Sequence, residues 1–144
     1  MTTSERLERA LELAKRVLRP DPGGSPLETR EVAELARGLV ELDDALAQGA
    51  PFPATWCRAV PTGTSVQPSL QRAAARARAS AVGVARRILD PASARVTAGE
   101  MVLMARSTME LHFALMRGGA YPPSWMAPPA RLQDASGTGS PLAG

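Results

Sequence analysis

The sequence predicts an all-α fold, a four-helix bundle-like domain built from two tandem helix-pair repeats related by a pseudo-two-fold axis. Three observations carry that prediction. Apolar residues recur at helical spacing in four segments, and no segment alternates as a half-buried strand would. The stretch from Ala36 to Trp56 (ARGLVELDDALAQGAPFPATW) returns without a gap as Ala105 to Trp125 (ARSTMELHFALMRGGAYPPSW). Only five residues of 144 are aromatic (Phe52, Trp56, Phe113, Tyr121 and Trp125), so Ala, Leu, Val and Met must fill the core, which suits helix packing better than a sheet.

The first helix is predicted from Thr2, which stands in capping-box spacing with Glu5. Leu7, Ala10, Leu11, Ala14, Val17 and Leu18 form its buried stripe, and Pro20, Pro22 and Gly23-Gly24 end it. The second helix is expected to start around Ser25–Glu28, with Pro26 suited to its first turn. It buries Val32, Leu35, Ala36, Leu39, Leu42 and Leu46 and stops at Gly49, a left-handed cap. Ser69 is read as the cap of the third helix, whose stripe is Leu70, Ala74, Ala77, Ala81, Val84 and Ile88 up to Asp90-Pro91. Thr97 and Glu100 make a second capping box, and Met101, Met104, Ala105, Thr108, Leu111 and Leu115 lead to Gly118.

The repeat is specific. Nine of twenty-one positions are identical, including Glu41/Glu110, Gly49/Gly118, Pro53/Pro122 and Trp56/Trp125, and Phe52 meets Tyr121. Upstream, AKRVLRP (14–20) matches ARRILDP (85–91) once two residues are gapped. One domain over 1–125 is expected, with a first copy at about 5–56, a linker at 57–68, a second copy at about 74–125 and a flexible tail at 126–144.

Each copy ends in Gly-x-x-Phe/Tyr-Pro-x-x-Trp, formed by Gly49, Phe52, Pro53 and Trp56 and again by Gly118, Tyr121, Pro122 and Trp125. Glycine lets the chain leave the helix, proline stiffens the segment after it, and the aromatic pair folds back as a clasp over the end of the helix pair. A recognition pocket lined by Trp56 or Trp125 is the competing reading. Core closure is preferred, because the rings recur in register. The run from Ala114 to Trp125 resembles a motif of small helical proteins of actinobacteria and their phages, an Ala-Leu helix entering Gly-Gly, an aromatic, Pro and Trp. Ala45 to Trp56 departs from it at Ala50, which replaces the second glycine. The resemblance implies a provenance and no activity.

Charge is distributed unevenly. Residues 1–56 carry a net −3 and residues 57–144 a net +6, and no acid lies between Asp44 and Asp90. On a helical wheel Arg72, Arg76, Arg86 and Arg87 share an arc of about 100° opposite the third helix's stripe, and Arg78 sits to one side. Such a helix (about 70–89) could lay guanidinium groups on backbone phosphates over roughly 20 Å. The alternative is a solvated face paired with acids of the first copy. Sixteen arginines against the single Lys15 reflect a high-GC coding bias as much as nucleic-acid recognition.

Enzymatic and metal chemistry find little support. His112 is the sole histidine and aligns with Asp43, a position read as half-buried or at the surface. Cys57 is the sole cysteine and is read as a passive small hydrophobe. Asp43, Asp44 and Glu41 share a helix turn but lack counterparts in the second copy, and Gly23-Gly24 lacks the residues of a phosphate loop. No cofactor, metal, membrane segment or small-molecule substrate is expected, and the absence of a leader-like apolar start points to the cytoplasm. The predicted function is a non-enzymatic interaction or accessory protein of phage or mobile-element origin. It would act through a protein partner or self-association, with Phe113 or Met109 as an exposed contact. The alternative is nucleic-acid binding by the third helix.

Overall fold

The computed structural model describes residues 2–19, 29–61, 68–92 and 95–125. Four α-helices account for most of them: α1 (Thr3–Leu18), α2 (Thr29–Ala47), α3 (Pro68–Leu89) and α4 (Ala98–Met116), with a 3-10 turn at Ala54–Trp56. No strand is present among the described residues. An isolated bridge joins Val60 and Ala120.

Both capping boxes form. Thr2 Oγ1 accepts from the Glu5 amide while Glu5 accepts from the Thr2 amide, and Thr97 and Glu100 do the same. α3 begins at Pro68, so Ser69 lies inside the helix and is not its cap. A proline at the first helical position loses no hydrogen bond and brings a helical φ, which extends the helix past the expected boundary. The expected end of the first helix and start of the second fall at 20–28, and the tail at 126–144; both lie outside the described residues.

The helices close a ring in which α1 packs on α2 and α4, and α3 packs on the same two. Exchanging α1 with α3 and α2 with α4 leaves that pattern unchanged, as a two-fold related pair of hairpins requires. All six stripe positions expected in α2 are buried. α1 buries Leu13 as well as Leu7, Ala10, Leu11 and Ala14, because it faces two neighbours. α3 turns a little from its expected face: Val82 and Ala85 are buried, and Val84 and Ile88 are only partly covered. Its floor of alanines (Ala74, Ala77, Ala81 and Ala85) admits α2 and α4 closely on either side.

The core has two parts. At one end Leu35, Leu39, Leu13, Ala81 and Met104 interlock; at the other Leu42, Leu46, Leu111 and Leu115 surround Trp56, Tyr121 and Trp125. The expected linker at 57–68 begins as ordered backbone. Val60 N donates to Gly119 O (3.1 Å) and Tyr121 N donates to Val60 O (3.0 Å), so the chain leaving the first clasp is pinned to the second.

Candidate functional site

The clasps are built identically. Gly49 (φ 95°) and Gly118 (φ 92°) are the described residues with positive φ. Each closes its helix with the paired bonds of a Schellman cap. Ala50 N reaches Ala45 O and Gly49 N reaches Leu46 O, while Gly119 N reaches Ala114 O and Gly118 N reaches Leu115 O. Trp56 N then donates to Pro53 O and Trp125 N to Pro122 O, completing equivalent turns.

The first clasp folds back on its own helix pair, where Thr3 Oγ1 donates to Pro51 O (2.6 Å) and Ala54 N donates to Ser4 Oγ (3.3 Å), but the rings of the two clasps cross to the opposite copy. The two indoles stack on each other, centroids 5.6 Å apart and 8° from parallel, and Phe52 meets Tyr121 edge-on at 4.8 Å. Trp56 Nε1 donates to His112 Nδ1 in the second copy (3.1 Å), and Trp125 Nε1 donates to Asp43 Oδ1 in the first (2.8 Å). The aligned pair Asp43 and His112 thus supplies the two acceptors, one for the tryptophan of each opposite copy. His112 is therefore buried, contrary to the expected half-buried or surface placement, because a buried indole N–H requires a partner.

The two acceptors differ in charge. Burial pushes the Asp43 carboxyl up, but bonds from Arg78 and Trp125 outweigh it and hold the group below its ordinary value. Arg78 binds Asp43 bidentately at 2.8 and 2.9 Å. Burial, then the Lys15 cation, push the His112 imidazole down. Its Nδ1 accepts from a group that can only donate, so the neutral ring carries its proton on Nε2.

The arginines of α3 do not form one free array. Arg86 Nη2 lies 3.1 Å from Asp44 and 3.6 Å from Asp43, and Arg87 pairs with Glu100. Arg72 and Arg76 are exposed and make no ion pair among the described residues. Arg78, the residue set to one side on the wheel, carries the partly buried pair. Cys57 is exposed and does not serve as a buried hydrophobe, because the turn after Trp56 turns it outward. Met109 is partly buried against the core, whereas Phe113 is exposed.

The second feature is a groove between α3 and α4. In the first copy the matching α1–α2 groove is spanned by Arg6 to Glu41 (2.5 Å) and by Arg9 to Glu34 (2.6 and 3.1 Å). The repeat places Ala77 and Ser80 where Arg6 and Arg9 stand, and Leu103 and Glu110 where Glu34 and Glu41 stand. Both bridges are gone from the second copy. Its groove encloses about 400 Å³ against about 200 Å³ in the first. Leu103 (46% exposed) and Phe113 (42%) line the second copy's groove at the positions of Glu34 and Asp44, while Met116 (37%), at the position of Ala47, is exposed but is not among its lining residues. Arg76 and Arg117 also line it, and the Arg117 guanidinium lies 5.9 Å from the Phe113 ring centroid. Leu103 and Met116 carry no signal in the periodicity of α4 alone; comparing each repeat position for loss of charge would have found Leu103.

Comparison with protein-family models, with curated proteins and with solved structures found no match. Among the described residues no group of three His, Cys, Asp or Glu side chains could hold a metal ion. No described helix is long and apolar enough to cross a membrane.

Proposed function

We propose that this chain is a non-enzymatic interaction protein, a small cytoplasmic accessory factor that binds a protein partner through the α3–α4 groove. The observation that carries this reading is the divergence of the two copies. One groove keeps its ion pairs; the other has lost them and shows Leu103 and Phe113 to solvent. Large apolar side chains gathered along one groove are a common mark of a binding surface. The resemblance to small proteins of actinobacteria and their phages bears on provenance alone and favours a phage or mobile-element origin.

A library of displayed helical peptides, selected against the whole chain, tests this. Enrichment of peptides that lose binding on Phe113→Ser is the expected result, and a selection yielding no such peptide overturns the reading. A second reading, nucleic-acid binding, is favoured by exposed Arg72 and Arg76. It requires that random duplex DNA bind at low salt, with a salt slope that Arg72→Ala with Arg76→Ala flattens by about two ions.

A further inference from the structure

We infer that the occupant of the α3–α4 groove is an acidic amphipathic helix of a partner protein, seated on Leu103 and Phe113 with its carboxylates on Arg76 and Arg117. This rests on the groove being an interaction surface, and it adds the shape and the charge of the ligand.

The shape comes from α4. Leu103, Arg106, Glu110, Phe113 and Arg117 are all exposed and succeed one another at steps of three and four. Such steps place them on one face that a second helix can follow, with Leu103 and Phe113 as its apolar members and Arg106, Glu110 and Arg117 as its charged ones. From Leu103 to Arg117 the face runs for about 21 Å, four turns of helix, and α3 walls one side of it. α4 is the most apolar of the four helices, yet Leu103 and Phe113 on its outer face stay exposed. An apolar floor of this kind gains from being made dry, which a phosphate backbone does not do.

The charge comes from the rim of that floor. Arg76 and Arg117 line the groove, and Arg72 and Arg106 are exposed nearby on the same two helices. The one acid in the lining is Glu110, left without the arginine that its counterpart Glu41 holds. Arg72, Arg76 and Arg106 make no ion pair among the described residues, in contrast to Arg6, Arg9, Arg78 and Arg86. Carboxylates on a partner would find cations at the Phe113 end, where α3 starts and α4 finishes. Charge of this sort selects a partner and speeds its capture more than it tightens the complex.

The test uses the full chain and a labelled helix-forming peptide of about sixteen residues. The peptide has Leu at its a and d positions and Glu flanking them. Controls replace Glu with Lys, replace Leu with Ser, or substitute random duplex DNA. The expected result is binding of the Leu/Glu peptide, at least about tenfold tighter than the Leu/Lys and Ser/Glu forms, and weakened about tenfold by Phe113→Ser. Arg76→Glu with Arg117→Glu should reverse the preference toward the Leu/Lys peptide. Melting curves establish that both variants remain folded. Tighter binding of the Leu/Lys peptide with the same Phe113 dependence overturns the acidic partner and leaves the interaction surface standing. Phe113-independent binding, preference for duplex DNA, or self-association of the chain abolished by Phe113→Ser overturns the proposal itself.

Discussion

Positions 43 and 112 answer one requirement in two ways. Each must accept the indole N–H of the opposite clasp inside the core. An aspartate does so as an anion and needs a counter-charge, which Arg78 provides. A neutral histidine needs none, and the repeat places Leu7, buried in the core, where Arg78 stands in the other half. The two solutions should therefore be exchangeable only as pairs. Asp43→His and Arg78→Leu singly are expected to cost about 1–3 kcal/mol each in urea unfolding, since each leaves a charge or donor short of its partner. The double variant should recover at least about 1 kcal/mol of their sum; strict additivity would refute the coupling. Both pKa shifts are downward, so the unfolded chain holds the extra proton and stability falls as acid is added. The His112 contribution is full above its ordinary value of 6.5 and is lost below it, and that of Asp43 is lost below 3.8. Unfolding at about pH 7.5 and about pH 5.5 should show the upper step in the parent chain. It should be absent in His112→Gln, because the chain has no other histidine.

Glycines in the helices and at their ends should respond oppositely to alanine. Gly49 and Gly118 hold positive φ, where a Cβ strains the backbone, so Gly49→Ala or Gly118→Ala should cost about 1–2 kcal/mol. Gly38 in α2 and Gly83 in α3 are helical, and an added Cβ meets nothing within 4 Å. Gly38→Ala and Gly83→Ala should stabilise by about 0.5–1 kcal/mol, read as a higher midpoint in thermal melts. A drop in the midpoint for either would mean that the helix is not packed as described. The same locality explains which boundaries were legible. Both capping boxes and both glycine caps depend on residues within one turn of each other. The start of α3 depends on Pro68, whose fixed φ suits a break and a first helical turn equally well.

At the level of the molecule, neither helix pair completes its own closure. The tryptophan of each clasp is hydrogen-bonded in the other copy, and burying each indole contributes on the order of 5 kcal/mol. Fragments ending at Pro61 and beginning at Pro68 should each lack cooperative melting alone. Mixed, they should form a one-to-one complex with the helical signal of the intact chain. A cooperatively folded first fragment would contradict the exchange of clasps. The ring of four helices is also what allows one hairpin to remain a closed structural half. The other half is then free to change, and its changes fall on the outer face of α3 and α4.

The amino-acid order alone determined four helices, both capping boxes, both glycine caps, the repeat and most of the core. Each of those derives from spacing within one element or from identity between two. Where the clasps go, which acid meets which arginine, and which apolar residues stay uncovered were decided only by tertiary packing. The wheel gave Arg72, Arg76, Arg86 and Arg87 one face, yet Asp43, Asp44 and Glu100 reach that helix from other elements and claim only Arg86 and Arg87 from that set. His112 and Phe113 are neighbours in the chain and part ways in the fold, one turned to an indole and one to solvent. A periodic pattern states which residues share a face; what lies against that face depends on contacts between residues dozens of positions apart.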